Sequence, residues 1–159
     1  MNMVWHYAPW AYLPAMVESG ALRGSNTGAE GEAPMLWFSA NQQWEPTATK
    51  MIRNSAGATV SMTFKQQVQM VGCIRFGMGA DDCRLLDWKA ACAFAGTTRD
   101  SRRALERVGK KKGADPAHWF ATAAPIPLTE LYFQVWADGW RDSTSPQDMA
   151  AVWVERQAA

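Results

Sequence analysis

The order of its patterned segments predicts an α+β fold for this chain, and three observations carry the prediction. Short β-branched and aromatic runs, punctuated by proline and glycine, read as strands. Two stretches with helically spaced apolar residues sit together in the middle of the chain. The two classes are segregated: β, α, β, then β-rich, then helices, then β, rather than the regular alternation of a parallel βαβ fold. At 159 residues the chain has the size of one domain, and no repeat or linker divides positions 1–159.

Taken in order, Met3 to Tyr7 is short, apolar and β-prone, and Pro9 closes it: a strand. Pro14 suits the first turn of a helix, where its missing N–H costs nothing. Leu13, Met16 and Val17 form an i, i+3, i+4 apolar face, and Gly20 is a C-terminal stop. Arg23 to Pro34 is rich in Gly, Ser and Asn and reads as a mobile loop. Met35 to Ala40 is the second strand, followed by a turn at Pro46. Thr59 to Phe64 and Val68 to Phe76 read as strands, the latter broken by Gly77, Gly79 and Asp81. Leu85, Trp88, Lys89 and Cys92 lie on neighbouring helical turns. The segment after Gly96 reads as a basic helix with Asp100 in its first turn and Lys110 to Lys112 at its end, both matching the helix dipole. Glu130 to Trp136 is a strand, and Asp138-Gly139 opens a tight turn. Met149 to Gln157 fits a strand or a helix equally.

The composition removes several function classes. A net charge of +1 gives no global attraction to nucleic acid or anionic membranes. No apolar run approaches a membrane-spanning length and no leader pattern is visible, so a cytoplasmic protein is expected. Cys73, Cys83 and Cys92 are widely spaced and read as free thiols. His6 and His118 have no carboxylate or thiol at ligand spacing, so no metal site is expected. No P-loop, GxGxxG or nucleophile elbow follows any strand. Nine tryptophans suit either a large core or a cleft that stacks a ring.

The residues that remain chemically interesting are few. On a strand, His6 points away from the face shared by Trp5 and Tyr7, and a neutral imidazole offers one donor and one acceptor, a match for a ribose hydroxyl. A packed core histidine is the plainer alternative. Arg75 sits inside an apolar strand, where an unpaired charge is costly, so an ion pair with Asp81, Asp82 or Glu130 is expected. Trp44-Glu45-Pro46 reads either as the wall of a cleft, with Glu45 accepting a hydroxyl hydrogen bond, or as a turn in which Trp44 caps the core. Seven basic residues between Arg99 and Lys112 form either a solvated helix face or a polyanion contact.

The pieces "HYAP", "YLPAMVESGAL" and "LWFSAN", in that order, resemble the N-terminal third of the ADP-ribosyltransferase-like superfamily, nearest its DarT-like branch. The resemblance implies a split antiparallel sheet with a short helix after the first strand and a helical pair in the middle, and a cleft for NAD. It places His6 at the nicotinamide-side ribose and Ser39 beside the nicotinamide. Glu130 or Gln134, with Glu45 as an outsider, is then the late residue that steadies the reacting ribose; an amide at Gln134 could bind there but not act as a base. Tyr7, Trp44 and Arg75 would complete the cofactor contacts. Ala8 stands where a threonine often follows the histidine pair. A related branch, the RNA 2′-phosphotransferases, relies on arginines, for which Arg23, Arg53 and Arg75 are the candidates.

Three functions follow as readings of the sequence. The first is an NAD-binding protein that transfers ADP-ribose to a protein or nucleic-acid acceptor. The second is an inactive domain of the same fold, serving as a protein-binding inhibitor or adaptor in a bacterial or phage conflict system. The third is a nucleic-acid-binding module built on the basic helix 99–112.

Overall fold

The computed structural model describes residues 2–25 and 30–158, so the loop expected from Arg23 to Pro34 lies partly outside the described residues. The described residues form a mixed α+β structure with five α-helices and a large antiparallel sheet. The strands of that sheet are β1 (Met3–Ala8), β3 (Leu36–Ser39), β6 (Ile74–Gly79), β7 (Leu86–Asp87), β8 (Trp119–Thr122), β10 (Tyr132–Trp136) and β11 (Trp140–Ser143). Their order is β11-β10-β6-β1-β3-β8-β7, every pairing antiparallel, so β1 lies near the middle. The sheet is continuous rather than split. Two further ribbons pair β2 (Ala21–Leu22) with β9 (Ile126–Pro127), and β4 (Met51–Arg53) with β5 (Thr59–Ser61).

The alternation of side chains gives the sheet two different faces. Val4, Ala8, Phe38, Ile74, Phe76, Met78 and Val135 pack on one, beneath helix α1 (Leu13–Ser19) and the terminal helix α5 (Pro146–Ala158), whose Met149 is fully buried. Trp5, Tyr7 and Cys73 face the other side, covered by Val68 and Phe64 of α2 (Phe64–Val71) and by Trp44. Toward β8 and β7 that second side is closed by Ala91 and Ala95 of α3 (Trp88–Ala95).

Local chemistry explains most boundaries. Pro14 occupies the first turn of α1, and Gly20 ends it in the left-handed region at φ 69°. Helix α4 (Arg99–Lys111) is capped by Thr98, with Asp100 in its first turn and Lys110 and Lys111 in its last. The terminal segment resolves as helix, anchored by Trp153 stacked on Trp10 at 5.4 Å.

One segment departs from its sequence pattern. The strands expected at Thr59 to Phe64 and Val68 to Phe76 are interrupted by α2. Thr63 and Gln66 form a reciprocal capping box that starts the helix, which outweighs the β-branched run and consumes Val68 to Val71. Strand β6 therefore begins at Ile74 and runs through Gly77 rather than breaking there. A Cβ at Gly77 would stand 2.5 Å from the Trp5 ring, so glycine is what lets that indole lie flat across the strand. Leu85, read with the helix, precedes it, because Asp87 is the cap of α3.

Candidate functional site

The strand alternation divides the predicted site residues between the two faces. His6 lies on the helix-covered face, its ring edge-on to Phe38 at 5.9 Å and tilted against Phe76 at 6.5 Å. Tyr7, Arg75 and Gln134 lie on the other, where Tyr7 pairs with Arg75 and Arg75 with Gln134 across the sheet. Ser39 joins that second group because its register partner on β1 is Trp5, not His6. The structure thus brings together Tyr7, Ser39, Trp44, Arg75 and Gln134 and leaves His6 behind the sheet from them.

Arg75 is the centre of the second face. Its guanidinium carbon stands 4.0 Å from the Trp5 ring and 4.0 Å from the Trp140 ring, a cation held between two indoles. Nε donates to Gln134 Oε1 at 2.7 Å, and Nη1 to the Gln42 carbonyl at 2.8 Å and the Tyr7 hydroxyl at 3.4 Å. The expected ion pair with Asp82 or Glu130 is made instead by Arg84, at 2.7 and 2.8 Å. Arg75 needs no carboxylate because carbonyl, amide and phenol oxygens take its donors while the indoles shield its faces. Burial is the main influence on both ionisable groups here, lowering the Arg75 pKa and pushing the Tyr7 phenol up to about 12.

This arrangement binds a segment of the chain itself. The carbonyls of Asn41, Gln42 and Gln43 accept from Tyr7 Oη, Arg75 Nη1 and Trp140 Nε1 at 3.0, 2.8 and 2.7 Å. Trp5 Nε1 donates to Gln42 Oε1 at 3.0 Å. Just beyond, the buried Glu45 carboxylate accepts from Ser39 Oγ at 2.8 Å, Thr47 Oγ1 at 2.6 Å and the Thr47 amide at 3.1 Å. Glu45 does accept hydroxyl hydrogen bonds, but from its own neighbours, and Trp44 packs against Tyr7 at 4.8 Å and Phe64 at 4.3 Å. Ser39, Glu45, Arg75 and Gln134 are therefore occupied in holding residues 41–47 as a strap over the sheet. Gln134 completes the set by donating to Asp142 at 2.7 Å.

Glu130 lies outside both groups, on a 3₁₀ turn (Leu128–Glu130) rather than on the strand, with its side chain 46% exposed and paired to Arg84. Arg53 is on the exposed β4–β5 ribbon.

His6 faces a different environment. A cleft of about 290 Å³ is lined by His6, Tyr12, Met16, Ser19, Leu22 and Arg23, with small alanines between them. It lies between β1, α1 and β2. His6 Nδ1 is 2.9 Å from the Trp37 carbonyl, which can only accept, so Nδ1 carries the proton and donates. Burial pushes the ring pKa down from 6.5 to about 4, opposed by that hydrogen bond and reinforced by the nearby Lys50 charge. The ring is accordingly neutral at pH 7, and Nε2 is a bare acceptor without a hydrogen-bond partner among the described residues. Lys50, its own pKa lowered by burial, lies 5.9 Å from the Tyr12 ring. Tyr12, Met16, Ser19 and Lys50 were not marked as site residues by the sequence. The i, i+4 spacing of Tyr12 and Met16, at the edge of the apolar face that Leu13 anchors, was the available signal.

Helix α4 shows Arg99, Arg103, Arg107, Lys110 and Lys111 exposed, and among the described residues its only ion pair is Arg102–Glu106 at 3.5 Å. No group of three His, Cys, Asp or Glu side chains among the described residues is placed to hold a metal ion, and none of the described helices is long and apolar enough to cross a membrane. Comparisons of the chain with protein-family models, with curated proteins and with solved structures found no match.

Proposed function

We propose that the cleft between β1, α1 and β2 binds NAD, as the resemblance to ADP-ribosyltransferase-like proteins implies. The carrying observation is His6: a neutral ring whose proton is held at Nδ1 by the Trp37 carbonyl and whose Nε2 accepts. Such an atom suits a ligand that brings a hydroxyl donor, as a ribose does. Tyr12 offers an exposed ring for a flat heterocycle, and Arg23 and Lys50 supply positive charge near a pyrophosphate. A volume of about 290 Å³ sits at the low end of ligand sites, roughly 300–1,000 Å³, which suits one nucleoside half in the cleft and the other along its rim.

The same geometry favours binding over transfer. Breaking the glycosidic bond of NAD builds positive charge on the ribose, which a carboxylate stabilises. Among the described residues no Asp or Glu lines this cleft, Glu130 is paired with Arg84, and Gln134 is on the opposite face. The reading is an NAD-binding domain in which transfer is weak or lost, with a protein partner as its effector.

Calorimetric titration with NAD tests this. Binding that weakens at least tenfold in His6→Ala, about 1.4 kcal/mol, without nicotinamide release, is the expected result. Equal affinity in both proteins removes the cleft assignment, and steady nicotinamide release removes the inactive version.

A further inference from the structure

We propose a second ligand site on the opposite side of the sheet from His6, in the cleft walled by Trp44, Phe64 and Lys112, and infer that it takes a phosphorylated nucleoside. The cleft measures about 310 Å³ and shares no lining residue with the one at His6. Its apolar wall is Trp44 and Phe64, half-buried rings with centroids 4.3 Å apart, continued by Pro46 and Met62. Its polar rim is Thr49, Ser61, Thr63 and Lys112.

Lys112 gives the site its charge preference. The ammonium donates to Ser61 Oγ at 2.8 Å and Thr49 Oγ1 at 3.5 Å, and those two hydroxyls lie 3.0 Å apart. These contacts hold the long side chain over the cleft but bring no negative charge. Among the described residues no carboxylate lines the cleft and Lys112 forms no ion pair. A fixed cation beside neutral hydroxyls and an aromatic wall is matched by a ligand with an anionic head and a flat body. A phosphate can accept from the ammonium and from the hydroxyls together, while the base covers the exposed parts of Trp44 and Phe64. A bare anion leaves the rings uncovered, and an uncharged nucleoside leaves the cation unmatched.

The site differs from a core defect in what it displays. Trp44 is held from behind by Tyr7, and Phe64 by Trp136 at 4.8 Å, so the aromatic wall is braced rather than loose. Lys112 itself is at the end of α4 and exposed, so changing it leaves the sheet and both cores intact.

The test is titration of the full chain with adenosine 5′-monophosphate, adenosine, inorganic phosphate and a short deoxyadenylate single strand, in the unaltered protein and in Lys112→Gln and Lys112→Arg, followed through the backbone amide resonances of Ser61 and Thr63, which line this cleft and not the one at His6. Read at Ser61 and Thr63, the nucleotide should bind better than adenosine or phosphate alone, lose about fivefold or more in Lys112→Gln and recover in Lys112→Arg. A single strand that binds no more tightly than the nucleotide assigns a free nucleotide as the source. One that binds about tenfold more tightly and weakens in Arg103→Gln assigns a nucleic-acid chain. No response of the Ser61 and Thr63 amides at millimolar nucleotide, or indifference of that response to Lys112→Gln, overturns the proposal.

Discussion

The two faces of one sheet are held by different means. On the helix-covered face, stability comes from apolar area removed from water: Val4, Ile74, Phe76 and Val135 are completely buried within one apolar cluster, with the His6 ring beside Phe76. On the strap-covered face, an arginine, a tyrosine and a glutamate are buried and a glutamine half-buried among tryptophans, and each polar atom named above is matched to a partner. The first face tolerates imprecision, because dispersion and hydrophobic burial are not directional. The second does not, because a buried donor or acceptor without a partner costs more than a satisfied one contributes.

The contrast can be broken by experiment. Phe76→Ala should have the largest effect, removing about 3–5 kcal/mol of stability in urea unfolding by opening a cavity under His6 and Phe133. A loss below that of any strap-face change would show that the apolar face is not the main store of stability.

Acid should act on the same face next. His6 binds its proton at about pH 4 when folded and near its usual 6.5 when unfolded. Above 6.5 both states are neutral and the group contributes nothing. Between 6.5 and 4 only the unfolded chain takes up the proton, so stability falls with decreasing pH by up to roughly 3 kcal/mol, and below 4 the loss levels off. Denaturation across this window, compared with His6→Gln, isolates the effect; parallel curves for the two proteins would remove it. Tyr7 stays protonated throughout, so the strap face contributes no such slope from its phenol.

Arg75→Met sharpens the comparison from the other side. Methionine fills the space between Trp5 and Trp140 but strands Gln134 Oε1 and the Gln42 carbonyl. A smaller stability loss, about 1–3 kcal/mol, should accompany faster amide exchange at Gln43 and Trp44, whose N–H groups are held by Asn41 within the strap. Unchanged exchange would mean that the arginine does not hold the strap.

How much of this was readable from the sequence follows the range of the forces involved. Helices α1 and α4 and strand β1 were legible because their signals are local: Pro14 and Gly20, Asp100 with the terminal lysines, and an apolar pentapeptide stopped by Pro9. That His6 and Tyr7 oppose each other was also legible, from alternation alone. The side taken by Ser39 was not. It depends on Trp5 rather than His6 being its register partner, and a slip of one residue would reverse it. The partners of Arg75 were equally hidden, because Gln42 and Gln134 are 33 and 59 positions away and no composition rule ranks an amide above three nearby carboxylates. Helix α2 was misread although its signal was present, the Thr63–Gln66 box having been outvoted by the apolar residues after it.

The strap carries one more consequence, for the order in which the chain assembles. The bonds that pin its carbonyls join residues 33 to 97 positions apart, the longest from Trp140. Closing loops of that length loses chain entropy before any contact forms, and here the contacts exist only once β1, β6, β10 and β11 are paired in that order. Residues 41–43 therefore acquire their native geometry late in folding, after the strands beneath them. The Trp140 indole, bonded to Gln43 and stacked on Arg75, reports when that has happened.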